Sequence, residues 1–234
     1  MIFKSNTPPE KRQLYHAVFI PIIVSLVMII SFLIEWGMNL DFHFAGVHPR
    51  NLSNLWGVFT IIFVHSGWSH LANNVISFVI LASCLYFFYK QVATKVLLLS
   101  YIFSGFILWI IGRDSWHIGA SGLVYSLAFF LFFSGIIRKH IPLIAISLII
   151  TFIYGSMIWH IFPWELQDPI SWEGHLAGGI VGFVLSIIYR NQGPQKPLKI
   201  WEEESENEDD DDNVYIESIE DIESNNELSE NNIR

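Results

Sequence analysis

Cysteine is almost absent. Cys84 is the only one among 234 residues, so an intrachain disulfide and a multi-cysteine metal centre are both excluded. Within an apolar run it reads as a buried, inert thiol. Acidic side chains are missing from most of the chain as well. Of 22 Asp and Glu, 15 fall in residues 201–234, which hold one basic residue, while residues 1–200 carry 12 basic against 7 acidic groups. The formal charge of −9 therefore combines a mildly basic body with an acidic tail. No carboxylate is expected within any span, which speaks against an acid-lined solute pathway and against a triad with its acid at that depth. No internal repeat appears, so repeat architectures are excluded. A small-residue cleavage site is also lacking after the first apolar run, Leu14 to Ile34, which follows Lys4, Lys11 and Arg12. That run is read as a retained helix rather than a signal peptide.

What the chain has is hydrophobic length. Hydrophobic residues make up 52%, and the mean hydropathy is +0.43, the composition of a membrane protein. Apolar segments near the ~20 residues that a bilayer demands fall at about 14–36, 69–89, 96–112, 119–137, 141–161 and 173–190. The expected fold is all-α, with six membrane helices and a long, partly embedded loop between the first two. That loop, Gly37 to Trp68, contains Val58 to Val64, too short to span, and Trp36, Trp56 and Trp68 suit interfacial anchoring. The expected organisation is an N-terminal segment 1–13, a membrane domain 14–190 and a tail 191–234. The Asn191-Gln192-Gly193-Pro194 break and the charge run that follows make the tail too polar to bury a core, so it is expected to be disordered. With the N-terminus inside, the inner segments hold ten Lys and Arg, and the outer loops hold only Arg50 and Arg113. Both ends are therefore expected in the cytoplasm.

In that topology the second, fourth and sixth helices begin on the outer side. Their first turns carry His70 and Asn74, Ser121, and His175. Polar groups inside spans are functional by default, and three helices place them at one depth. A serine set in Gly119-Ala120-Ser121-Gly122 at a helix start lies beside unpaired N–H groups and the positive end of the dipole. Acyl transfer fits this set, with His175 as general base for Ser121. His70 and Asn74, four apart on one helix face, would stabilise the oxyanion together with the Ser121 N–H. Glu165, Asp168 and Glu173 fall in or beside the fifth loop, so a Ser-His dyad is expected. Tyr125, one turn after Ser121, is placed to stack on His175, with ordinary packing as the alternative. Gly174, Gly178 and Gly182 would let the sixth helix approach the fourth at Gly122 and Ser126. His65 is expected to stabilise its loop by a hydrogen bond. His16, His43, His48, His117, His140 and His160 are expected in interfacial or solvated roles.

The combination of His65 to Asn74, Gly119-Ala120-Ser121-Gly122 with Tyr125, and Gly174-His175-Leu176-Ala177-Gly178 resembles the rhomboid family of intramembrane serine proteases, over roughly Leu14 to Arg190. Gly46 to Arg50 with Leu55-Trp56-Gly57 resembles that family's first loop, although a Trp-Arg pair found there in some members is absent. The resemblance implies a six-helix core, Ser121 as nucleophile, His175 as base, and an oxyanion site from His70, Asn74 and the Ser121 amide. It implies membrane-anchored protein substrates cleaved in or near their spans. It also makes the fifth helix and the segment Ile161 to Ser171, with Pro163 and Pro169, candidates for gate and cap, with Phe152 and Trp159 filling the seam or, as the alternative, simply facing lipid. Expected partners are single-span membrane proteins and the lipid bilayer, with an unidentified partner for the acidic tail as an open alternative. No nucleic acid, cofactor or metal is expected. The expected location is a prokaryotic plasma membrane, with an organelle membrane as the alternative. The rival readings are a catalytically inactive relative that binds membrane helices and a histidine-lined transporter.

Overall fold

A computed structural model describes residues 9–139, 141–154, 161–162 and 171–195. Trp159, Pro163, Glu165, Asp168 and Pro169, most of the proposed gate and cap, and the acidic tail lie outside the described residues.

The described structure is helical. Helix α1 (Pro9–Gly37) starts ahead of the apolar run and carries Pro21 within it. A loop with short 3-10 turns and one helical turn, α2 (Gly57–Thr60), leads to α3 (Trp68–Phe88). Then come α4 (Ala93–Ile111), α5 (Ser121–Arg138), α6 (Ile141–Tyr154) and α7 (Trp172–Ile188). By length and composition α1, α3, α4 and α5 can each cross a membrane, which makes this a multi-pass membrane protein. Six spans are expected from the sequence, but α6 is described for 14 residues and α7 for 17. At 1.5 Å per residue α7 is about 26 Å long, a few ångströms short of a ~30 Å hydrocarbon layer.

Helix α5 is the most buried of the four long helices and α1 the least. The order follows from composition. Alternating small and large side chains on α5 (Ser126, Phe130, Ser134) admit neighbours on several sides, whereas α1 turns Phe19, Ile23 and Leu26 outward. Phe78, Leu81, Leu85, Leu127 and Phe130 form the centre of the core. Ser126 Oγ donates to Ser100 Oγ at 2.8 Å, joining α5 to α4. The loop between α1 and α3 dips into the bundle: Val58, Ile61 and Ile62 are buried, and Val58 sits against the Gly105 backbone of α4. Trp68 is engaged edge-on by Phe32 and Trp36 at 4.9 and 5.7 Å, while half its surface stays exposed.

At the opposite end, Arg138 closes α5. Its Nε donates to Ser134 Oγ at 2.9 Å, Nη1 to the Pro194 carbonyl at 2.9 Å and Nη2 to the Tyr189 carbonyl at 2.7 Å. The guanidinium also lies 5.0 Å from the centre of the Tyr89 ring. A buried cation is tolerated only when its donors are satisfied in this way.

Candidate active site

Ser121 is the first residue of α5, and Ala120 before it supplies no side-chain cap. The first-turn N–H groups therefore lack intrahelical acceptors and carry the positive end of the dipole. Gly119 enters this turn at φ 103°, a left-handed conformation that side chains strain, and its N–H donates to the Ile61 carbonyl at 3.0 Å. A Cβ on Gly119 would lie 2.5 Å from His70 Nε2 and 3.6 Å from Asn74 Nδ2. His70 and Asn74 thus face the backbone just ahead of Ser121. The Ser66 N–H donates to His70 Nδ1 at 3.4 Å, which in a neutral ring leaves the proton on Nε2, the atom turned toward Gly119. Asn74 Nδ2 donates to the His70 carbonyl at 2.9 Å.

Helix α7 meets α5 backbone to backbone. A Cβ on Gly178 would fall 2.0 Å from the Gly122 carbonyl oxygen, and one on Gly182 would fall 2.1 Å from that of Ser126. No residue but glycine allows this approach. It brings the buried His175 ring flat against Tyr125, with centroids 4.1 Å apart and planes 9° from parallel. Tyr125 is one turn beyond Ser121, so the stack holds the imidazole at that level of the bundle. Gly119, Ser121 and Gly122 line a narrow, partly open cleft with Ser104, His117 and Gly174, while His70, Asn74 and His175 do not line it.

Several expectations change. His117 is not solvated: it is buried, and its backbone pairs with Val47 through two bonds of 2.8 and 2.9 Å. Its ring spans from the Arg113 carbonyl, 3.1 Å from Nε2, to Ser171 Oγ, 2.6 Å from Nδ1. Burial pushes its pKa below the ordinary histidine value, and the bond to the Arg113 carbonyl opposes that. His65 is buried, interacts with the Phe63 backbone of its own loop and packs edge-on against His70 at 5.1 Å. Burial, and secondarily the neighbouring His70, lower its pKa to about 3. Carboxylates do occur in the helices: Glu35 lies in α1, and Glu173 is buried in the first turn of α7. Glu173 Oε1 accepts the Arg113 N–H at 3.2 Å and lies 3.7 Å from Arg113 Nε. Phe152 is almost wholly exposed, which fits the lipid-facing alternative. His117, Ser171 and Glu173 are the residues sequence reasoning missed. Only the N-cap signature of Ser171, whose Oγ accepts the Gly174 N–H at 3.2 Å, was legible.

One trio of possible metal donors, Glu35, Asp41 and His43, has its atoms within 4.8 Å of one another. These groups already hold the turn after α1: Asp41 Oδ1 accepts from His43 Nδ1 at 2.7 Å, and Glu35 Oε1 accepts the Phe42 N–H at 2.9 Å.

A family model described as the Rhomboid domain matches residues 52–192. Proteins of Mycobacterium tuberculosis and Mycobacterium bovis, each described as uncharacterized, are 31% identical over 168 residues, covering 65% of this chain and 65% of theirs. One of Mycobacterium leprae is 28% identical over 166 residues, covering 68% of this chain and 64% of its own. The aligned part thus spans just under two thirds of the length of these relatives.

Proposed function

The chain belongs to the rhomboid family, and from that premise we propose that it is an intramembrane serine endopeptidase acting on membrane-anchored proteins. The observation that carries the proposal is the α5–α7 contact. Gly178 lies on Gly122, and Tyr125 stacks on His175, so the only histidine of α7 is held beside the helix that Ser121 opens. Ser121 is the nucleophile and His175 the general base. His175 takes the hydroxyl proton as Oγ attacks the scissile carbonyl, then returns it to the leaving amine. Water subsequently hydrolyses the acyl-enzyme with the roles reversed. The oxyanion is met by the Ser121 N–H, which has no intrahelical acceptor, together with His70 Nε2–H and Asn74 Nδ2, both on the Gly119 side of that turn.

In this reading α6 and α7 also cross the bilayer, giving six spans, with the Ser121 turn near the outer face and both termini in the cytoplasm. Hydrolysis needs water at membrane depth, and an irregular, cleft-lining backbone such as residues 112–120 is tolerated where protein or water surrounds it. The substrate's span enters sideways from the lipid.

The test is incubation of the purified chain in detergent with a panel of single-span substrates, alongside Ser121→Ala and His175→Ala. Cleavage by the native chain and none by either variant is the expected result. Cleavage retained by Ser121→Ala overturns the assignment.

A further inference from the structure

Helix α4 ends at Ile111 and α5 begins at Ser121, so the approach to the nucleophile runs through nine residues without regular structure. Two polar contacts tie this loop to the start of α7, and they converge on Arg113, one at its N–H and the other, through the His117 ring, at its carbonyl. The Arg113 N–H donates to Glu173 Oε1. The Arg113 carbonyl can only accept, so the His117 nitrogen beside it, Nε2, carries the ring proton and Nδ1 is bare. The Ser171 hydroxyl must then donate to Nδ1, while Ser171 Oγ accepts the Gly174 N–H. Glu173, Arg113, His117 and Ser171 thus form a polar chain in which every bond has a fixed direction, and the backbone of residues 171–173 closes it into a circuit.

Stability alone is a poor reason for such a circuit. Glu173 and His117 are each 2% exposed, and burying a carboxylate with a cationic partner costs about as much as apolar residues of the same volume would save. Its placement suggests another purpose. His117 is two residues before Gly119, whose backbone His70 and Asn74 face, and Glu173 is two residues before His175. The glycine contacts between α5 and α7 act only from Gly122 onward; before that point these polar bonds connect the two sides.

We infer that Glu173, acting through Arg113 and with His117 and Ser171 closing the circuit, is a positioning residue that braces the Gly119–Ser121 turn against the His175 turn. The catalytic consequence rests on the protease reading above, and the brace itself does not. Loss of the carboxylate frees one side of the loop, and an error of about 1 Å between nucleophile and base costs on the order of a hundredfold in rate.

The experiment compares the full chain with Glu173→Ala and Glu173→Gln in detergent by two readouts. Hydrogen exchange is followed over residues 112–122 and, as an internal reference, over the core of α3. Turnover is measured per active site, with sites counted by a serine-reactive fluorophosphonate. Expected for Glu173→Ala is exchange faster by about tenfold or more in 112–122 with α3 unchanged, and kcat per titrated site lower by about tenfold or more at nearly constant KM. Glu173→Gln keeps an oxygen for the Arg113 N–H and should recover most of both. Unchanged exchange overturns the brace. Fewer titratable sites that each turn over at the native rate overturn the positioning role, because they indicate a structural contribution only. If the native chain neither cleaves nor is labelled, the protease reading falls, and the exchange result still decides the brace.

Discussion

Replacing Gly178 by alanine probes the contact on which the proposed dyad depends. The added Cβ would sit 2.0 Å from the Gly122 carbonyl oxygen, 2.9 Å from its carbon and 3.1 Å from Tyr125 Cβ. Ordinary contact begins at 3.4 Å and real Cβ atoms essentially never approach within 3.0 Å, so α7 must move off α5 by about 1.0–1.4 Å, the difference from 2.0 Å. The obstacle is backbone, so no rotamer change relieves it. Overpacking of this kind costs about 1–3 kcal/mol of stability. The same displacement separates His175 from Ser121, and a shift of about 1 Å lowers the rate on the order of a hundredfold, equivalent to about 2.7 kcal/mol in the barrier. Turnover per fluorophosphonate-titrated site and the midpoint of unfolding in detergent measure the two effects separately. Gly37→Ala, where a Cβ meets nothing within 4 Å, is the control and should match the native chain. A Gly178→Ala protein with native turnover and native stability would refute the reasoning.

The Tyr125–His175 stack predicts that Tyr125→Phe, which keeps the ring, retains turnover within about threefold, while Tyr125→Ala loses about tenfold; equal rates for the two variants would remove the stack from the mechanism. Arg138→Ala strands the Tyr189 and Pro194 carbonyls and should cost about 2–4 kcal/mol in unfolding free energy; a change under about 0.5 kcal/mol would show the network to be incidental. His65 is neutral when folded, with a pKa near 3 against an ordinary 6.5, so the unfolded chain binds an extra proton between those values. Its contribution is complete above the unfolded value and falls as pH drops through the window, by about 2 kcal/mol at pH 5. Unfolding titrations at pH 7.5 and 5 should show this loss in the native chain and a smaller one in His65→Leu.

Hydropathy placed the long helices closely: α3, α4 and α5 begin and end within three residues of the apolar runs, because a bilayer-length apolar stretch leaves the chain few other conformations. The Ser121 motif was equally visible, since glycines flanking a serine ahead of an apolar run have a local meaning at a helix start. Helix α7 likewise begins and ends within two residues of its apolar run, 173–190, and is shorter than the four long helices. The polar network around Arg113 was not legible. His117 and Arg113 lie more than fifty positions from Ser171 and Glu173, and neither loop alone signals that its polar groups point inward. The expectation for His117 failed for the same reason: a histidine in a loop reads as wet until the fold shows what covers it.

The sequence by itself determined a membrane chain, the order of its helices and the candidate residues, because backbone satisfaction in lipid and helix-end chemistry are local demands. Only the tertiary structure decided which groups meet: that Gly178 rests on Gly122, that Tyr125 covers His175, and that Glu173 is buried against the Arg113 peptide. Those contacts depend on how three distant segments pack, and close packing is a property of the assembled bundle rather than of any stretch within it.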